Sequence, residues 1–178
     1  MSLGLESRAV RLVPYDPAWP ELFAAEVTRL RAALPADLPL ALEHTGSTAV
    51  PGLVAKPVLD LLGGYPRGAN VQAYIDALVR AGYIHRGEQG IPGREFFRRG
   101  EPRAYHLHLA VQHGSFWREH LAFRDALRAN PRVREAYAEL KLDLARRYPR
   151  DREAYIEGKS AFITAVVRDA LANRSRPV

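Results

Sequence analysis

The chain contains no cysteine in its 178 residues, so disulfides and thiolate-bound metals are excluded. Long apolar runs are missing as well: nothing approaches the ~18 consecutive apolar residues of a membrane-spanning helix. Residues 1–7 lack the basic and then apolar regions of a secretory signal. These absences fit a cytoplasmic protein with no membrane partner. Internal repeats and low-complexity segments are absent too. At this length the chain reads as a single domain, 1–178, with a core over about 8–112 and C-terminal helices over about 113–174. Lysine is scarce, at three positions against 23 arginines.

What is present is a basic, ordinarily hydrophobic chain, with 47% hydrophobic and 26% charged residues, a net charge of +6 and a pI near 9.9. Such a balance suits an anionic partner: nucleotide, phosphate or nucleic acid. Residues 118–152 carry ten basic side chains against six acidic ones. That density reads as a solvated helical face, so charge alone does not establish nucleic-acid binding.

Periodicity gives the element order. Residues 10–13 form a β-type run closed by Pro14. Asp16 and Pro17 then start a helix with Trp19, Leu22, Phe23, Val27, Leu30 and Leu34 on one face. Residues 40–45 read as a strand, 46–52 as a loop of small residues, and 57–62 as a buried strand halted by Gly63 and Gly64. A helix over 70–81 ends at Gly82. Strands are predicted over 83–86, 94–99 and 105–111. Three helices follow: one capped by Ser115 and running to about residue 129, one opened by Pro131, and one capped by Asp151 and reaching about residue 172. The order implies an α+β fold, a mixed sheet with helices packed on it.

Four clusters carry candidate chemistry. Gly46, Ser47 and Thr48 follow a strand, where backbone amides and hydroxyls can cradle phosphate oxygens, although an ordinary turn has the same composition. Asp60 lies in the apolar run Lys56-Pro57-Val58-Leu59-Asp60-Leu61-Leu62. A carboxylate there needs a cation, a donor or a metal, and Lys56 can meet a phosphate. His106 and His108 share one strand face, while Tyr105, Leu107 and Leu109 take the other. Two imidazoles so placed can bind a metal, move protons, contact phosphate or serve the core. On the last helix Tyr155, Lys159, Phe162, Ile163 and Val166 form one stripe, and a lysine on an apolar stripe either snorkels to solvent or finds an anion. Gly46–Thr48, Asp60, His106 and His108 are expected to line one cleft.

The motifs Pro14-Tyr15-Asp16-Pro17-Ala18-Trp19-Pro20, His44-Thr45-Gly46-Ser47-Thr48-Ala49-Val50-Pro51-Gly52-Leu53, Lys56-Pro57-Val58-Leu59-Asp60, His106-Leu107-His108 and His120-Leu121-Ala122-Phe123-Arg124-Asp125, with Tyr155 and Lys159, resemble the GrpB family across about residues 10–167. The resemblance implies a nucleotidyltransferase-like fold. In active members of that superfamily a Gly-Ser pair precedes an Asp-x-Asp strand, and a later strand adds a third carboxylate to hold two divalent cations. Here Val58 stands in the first carboxylate's place, and His106 and His108 occupy the later strand. Glu43 and Glu95 are spare carboxylates with no assigned place.

That departure implies at most one divalent metal, Zn²⁺, Mn²⁺ or Ni²⁺ ahead of Mg²⁺, on Asp60, His106 and His108. The leading expectation is a nucleotidyltransferase-like protein. Gly46, Ser47, Thr48, Lys56 and Lys159 would hold the phosphates of a nucleotide or other phosphorylated molecule, and Asp60, His106 and His108 would do the chemistry. A single-metal phosphohydrolase, or a non-catalytic module binding nucleic acid or protein, are the alternatives.

Overall fold

The computed structural model describes residues 3–6 and 10–174. Helix α1 (Trp19–Ala33) leads to strand β1 (Ala41–Thr45), a 3₁₀ turn (Ser47–Ala49) and strand β2 (Leu59–Tyr65). Helix α2 (Val71–Arg80), strands β3 (Ile84–His85), β4 (Glu95–Arg99) and β5 (Tyr105–Val111), and helices α3 (Ser115–Ala129), α4 (Pro131–Arg147) and α5 (Arg152–Arg174) complete it. The strands form one sheet in the order β1-β2-β5-β4-β3, parallel only between β2 and β5. The fold is therefore α+β with a mixed sheet. Among the described residues, no helix is long and apolar enough to cross a membrane.

Strand alternation divides the sheet into two working faces. Leu59, Leu61, Phe97, Leu107 and Leu109 point to one side, where Trp19 and Leu30 of α1 and Ile75 and Leu78 of α2 close the main core. Within that layer the buried Glu26 accepts from Tyr83 at 2.8 Å and from Arg29 at 2.7 Å, and also pairs with Arg99. Asp60, Leu62, Phe96, His106 and His108 point to the opposite side, which α3, α4 and α5 cover. The helices have their own core of Val50, Leu53, Leu127 and Tyr137, with Phe162 and Ile163 packed against it.

Several sequence-based boundaries shift. Gly63 and Gly64 do not stop β2; they pair with Leu42 and Ala41 of β1. A Cβ on Gly64 would lie 2.5 Å from Trp117 Cζ3, so glycine here is the gap that lets α3 settle on the sheet. Gly64→Val should therefore destabilise the protein by about 2 kcal/mol, the usual scale for forcing atoms into a filled core; a urea denaturation curve measures it. Residues 10–13 make no strand, only a single bridge from Val13 to Ala55. The strand expected over 83–86 shortens to Ile84–His85. Asp16 accepts from the Ala18 amide at 3.0 Å in the turn before α1 rather than capping the helix itself. Ser115 is the first residue of α3, not its cap. Asn130 caps α4 ahead of Pro131, and Asp151 caps α5 through the Ala154 amide at 3.0 Å.

Candidate functional site

Gly46, Ser47, Thr48, Lys56, Asp60, His106, His108 and Lys159 all line one cavity of about 370 Å³ between the sheet and the C-terminal helices. Parallel pairing of β2 with β5 sets Asp60 opposite His106 and Leu62 opposite His108. His106 Nδ1 then lies 3.0 Å and His108 Nε2 3.9 Å from Asp60 Oδ1. The other carboxylate oxygen abuts Gly46, whose φ is +69° and where a Cβ would run into Oδ2. Gly46 is thus required twice, by its left-handed backbone and by the carboxylate against it.

The hydrogen bonds fix the proton positions. Arg94 Nη1 lies 3.1 Å from His108 Nδ1. Arginine can only donate, so that nitrogen accepts and the neutral ring carries its proton on Nε2, facing Asp60. Burial pushes the His106 imidazole down to about 4, against the opposing pull of Asp60, so the ring is neutral at pH 7. Its Nδ1–H donates to the carboxylate. Burial alone would raise the Asp60 carboxyl, but the two imidazoles outweigh it and hold the group well below the usual carboxylate range. Asp60 is an anion hydrogen-bonded by His106 at 3.0 Å, with His108 Nε2 close by at 3.9 Å.

This arrangement fits a metal poorly. Arg94 locks His108 with its proton toward Asp60, whereas a metal ligand must present a lone pair; the one imidazole lone pair left over, on the buried His106 Nε2, has no hydrogen-bond partner among the described residues. The spare carboxylates are elsewhere: Glu43 accepts from Arg124 at 2.7 Å, and Glu95 pairs with His85 at 2.6 Å. Among the described residues no group of three or more His, Asp or Glu side chains is arranged to hold a metal ion.

Positive charge fills the cavity instead. All three lysines of the chain line it, Lys56 before β2, Lys141 on α4 and Lys159 on α5, together with Arg94 and Arg152. Asp60 is the one acidic residue in that lining among the described residues. Lys141 is 1% exposed; its ammonium donates to Ser47 Oγ at 3.0 Å and to the Val54 carbonyl, and lies 4.8 Å from the Tyr137 ring centroid. Lys56 and Lys159 both face the ring of Tyr155, at 5.4 and 4.6 Å. Among the described residues neither ammonium has a hydrogen-bond or ion-pair partner. Burial drives Lys56 down to about 8, with Asp60 opposing. Burial and the neighbouring lysines drive Lys141 and Lys159 down to about 7. Arg152 adds a buried Nε with no hydrogen-bond partner among the described residues.

Two of the anticipated contributors are already committed. The Ser47 hydroxyl holds Lys141, and the Thr48 hydroxyl lies 3.0 Å from His44 Nε2. Residues 118–152 do not simply decorate a solvated face. Lys141 and Arg152 line the cavity, Arg124 reaches the His44 carbonyl at 3.0 Å, and Arg128 reaches the Ala49 carbonyl at 2.9 Å. Lys141 had a sequence signal: Tyr137, Lys141 and Leu144 repeat on α4 the spacing of Tyr155, Lys159 and Phe162 on α5. Arg94 had none: it opens the strand predicted over 94–99, and nothing in that short run marks it as reaching the histidines.

A second cavity, of about 520 Å³, shares Gly46, Asp60, His108 and Tyr137 with the first and is otherwise walled by α3 and α5, with Phe123, Ile163 and Val167 among its lining. It also exposes His120, whose Nδ1 lies 2.8 Å from the Phe116 carbonyl and which burial holds at about 4. Asp60 and His108 sit where the two spaces meet.

The family model described as GrpB protein matches residues 9–169. A UPF0157 protein of Pseudomonas aeruginosa is 42% identical over 175 residues, covering 95% of this chain and 71% of its own length. A dephospho-CoA kinase of Mycobacterium bovis is 32% identical over 163 residues, covering 77% of this chain and 40% of that protein. The crystal structure of the conserved protein GrpB from Enterococcus faecalis superposes with a TM-score of 0.82 at 34% identity, over 93% of this chain and all of that one. With its mixed sheet, its flanking helices and a family match along nearly its whole length, the chain belongs to the GrpB family.

Proposed function

We propose that the chain binds a phosphorylated small molecule, in the first instance a nucleotide, with its phosphates in the cationic cavity over Asp60 and the remainder in the adjoining larger space. The observation that carries this reading is the meeting of all three lysines in one cavity with a single carboxylate, Asp60, two of them stacked on an aromatic ring and, among the described residues, without a hydrogen-bond or ion-pair partner. Buried ammonium groups without a counter-charge are costly, and a phosphate would supply that charge. The similarity to part of a protein named as a kinase of dephospho-CoA is in keeping with a phosphorylated ligand, and a cytoplasmic location is proposed with it. If the site also transfers a nucleotidyl group, Asp60, kept ionised by the imidazoles beside it, would accept a hydrogen bond from the incoming hydroxyl. A nucleic-acid-binding face is less well supported, because Arg124, Arg128, Lys141 and Arg152 turn inward.

Calorimetric titration with ATP, pyrophosphate and inorganic phosphate at pH 7 tests the reading. Saturable binding is expected, with Lys56→Ala and Lys159→Met each weakening it about tenfold or more, the scale of one charge-assisted hydrogen bond. Arg134→Ala on α4, outside the cavity lining, should leave it unchanged. Equal losses from Lys56→Ala and Arg134→Ala, or no saturable binding, would sink it.

A further inference from the structure

Resting on that reading, we propose that the cavity takes its ligand as a free polyphosphate, without a divalent cation, the lysine ammonium groups standing where metal ions stand in a polymerase-type site. Three observations converge on this. The negative charge needed to hold a dication is missing: Val58 lines the cavity in place of a second carboxylate, and Glu43 and Glu95 are paired away from it. The remaining carboxylate, Asp60, has its Oδ1 hydrogen-bonded by His106, with His108 Nε2 3.9 Å away, and its Oδ2 packed against Gly46. Five cationic side chains share the cavity with that one carboxylate among the described residues of the lining.

A dication entering such a space meets net repulsion, strengthened by the low polarity of the buried walls. A polyphosphate chain meets the opposite field. Mg²⁺ already bound to the ligand would cancel part of the charge the cavity is built to receive and would bring its own hydration shell into a space of about 370 Å³. The cations also come from separated elements: Lys56 from the loop before β2, Arg94 from the residue before β4, Lys141 from α4, and Arg152 and Lys159 from α5. Donors spread around a cavity suit several phosphoryl oxygens along a chain better than a single oxyanion.

Pyrophosphate and ATP are the probes, titrated into the full chain in excess EDTA and again in excess Mg²⁺. Binding in EDTA should be at least as tight as for any other condition, and excess Mg²⁺ should weaken it about tenfold by drawing off the free ligand. Zn²⁺, Mn²⁺ and Mg²⁺ titrated alone should give no saturable heat. Binding that requires Mg²⁺, or a stoichiometric Zn²⁺ site abolished by His106→Gln, would overturn the metal-free clamp while leaving a phosphate-binding site in place. Absence of binding in both EDTA and Mg²⁺ would overturn the clamp together with the phosphorylated-ligand reading beneath it.

Discussion

Raising the pH from 7 to 10 should stabilise the ligand-free protein while loosening its hold on pyrophosphate, two responses of opposite sign from the same three lysines. In the folded chain Lys56 titrates near 8 and Lys141 and Lys159 near 7, each held down chiefly by burial. Lys56 faces Asp60, Arg152, Arg103 and Arg98; Lys159 faces Lys56, Asp60 and Arg152; Lys141 faces Lys159 and Lys56. Once unfolded, all three return to the ordinary ammonium range near 10.4. Between those limits the unfolded chain binds more protons than the folded one, so stability rises with pH across the window and is lost as pH falls through the folded values. After discounting for the solvent that reaches Lys56 and Lys159, the gain should be on the order of 3 kcal/mol, read from urea midpoints at pH 7, 8.5 and 10. Above pH 10 it should reverse, because burial raises the phenols of Tyr137 and Tyr155 and the unfolded chain ionises first. Affinity runs the other way, since a phosphate draws its bonds from charged amines, and should fall about tenfold or more by pH 10. Lys159→Met should flatten both curves. Flat curves in the unaltered protein would mean that the amines carry ordinary charges and that the cavity holds no unmet demand for an anion.

Glu26→Ala should cost about 3–5 kcal/mol, the scale of breaking a buried ion pair from one side, yet leave pyrophosphate affinity unchanged. Glu26 is 3% exposed and collects Arg29, Arg99 and the Tyr83 hydroxyl beneath α1. Its loss leaves the buried Tyr83 hydroxyl and the part-exposed Arg29 and Arg99 guanidinium groups without their shared acceptor. That core occupies the sheet face opposite Asp60, His106 and His108, so the damage should stay in the denaturation curve. A loss below about 1 kcal/mol would show that the cluster contributes little. A parallel loss of affinity would show that the two faces are not independent.

How much of this was legible in the sequence depended on whether a residue's role was local. Strand alternation around His106 and His108 is a two-residue property, and it placed both imidazoles on one face with Leu107 on the other. The stripe from Tyr155 to Val166 likewise carried Lys159 to the inner side of α5. Gly64 was misread as a strand stop because its reason, the ring of Trp117, lies far along the chain. Lys141 was submerged in a count of charges over 118–152, although its own helix spacing marked it as inward-facing. Its partner Ser47 is 94 residues away, and no local pattern announces such a pair. The proton positions on His108 were illegible for the same reason, since they follow from Arg94 on the neighbouring strand.

Lys56 belongs to the sheet's approach loop, Lys141 to α4 and Lys159 to α5, so the repulsion among them acts between layers rather than within one. Left alone, that repulsion works as a spring that prises the helical layer off the sheet. A polyanion seated among the three would act as a tie-rod, clamping both layers in tension where there had been thrust. The ligand would then stand as a structural member of the folded chain, adding to the apolar contacts around Val50, Leu53, Leu127 and Tyr137 and to the bonds that Arg124, Arg128 and Lys141 make to β1 and the segment after it.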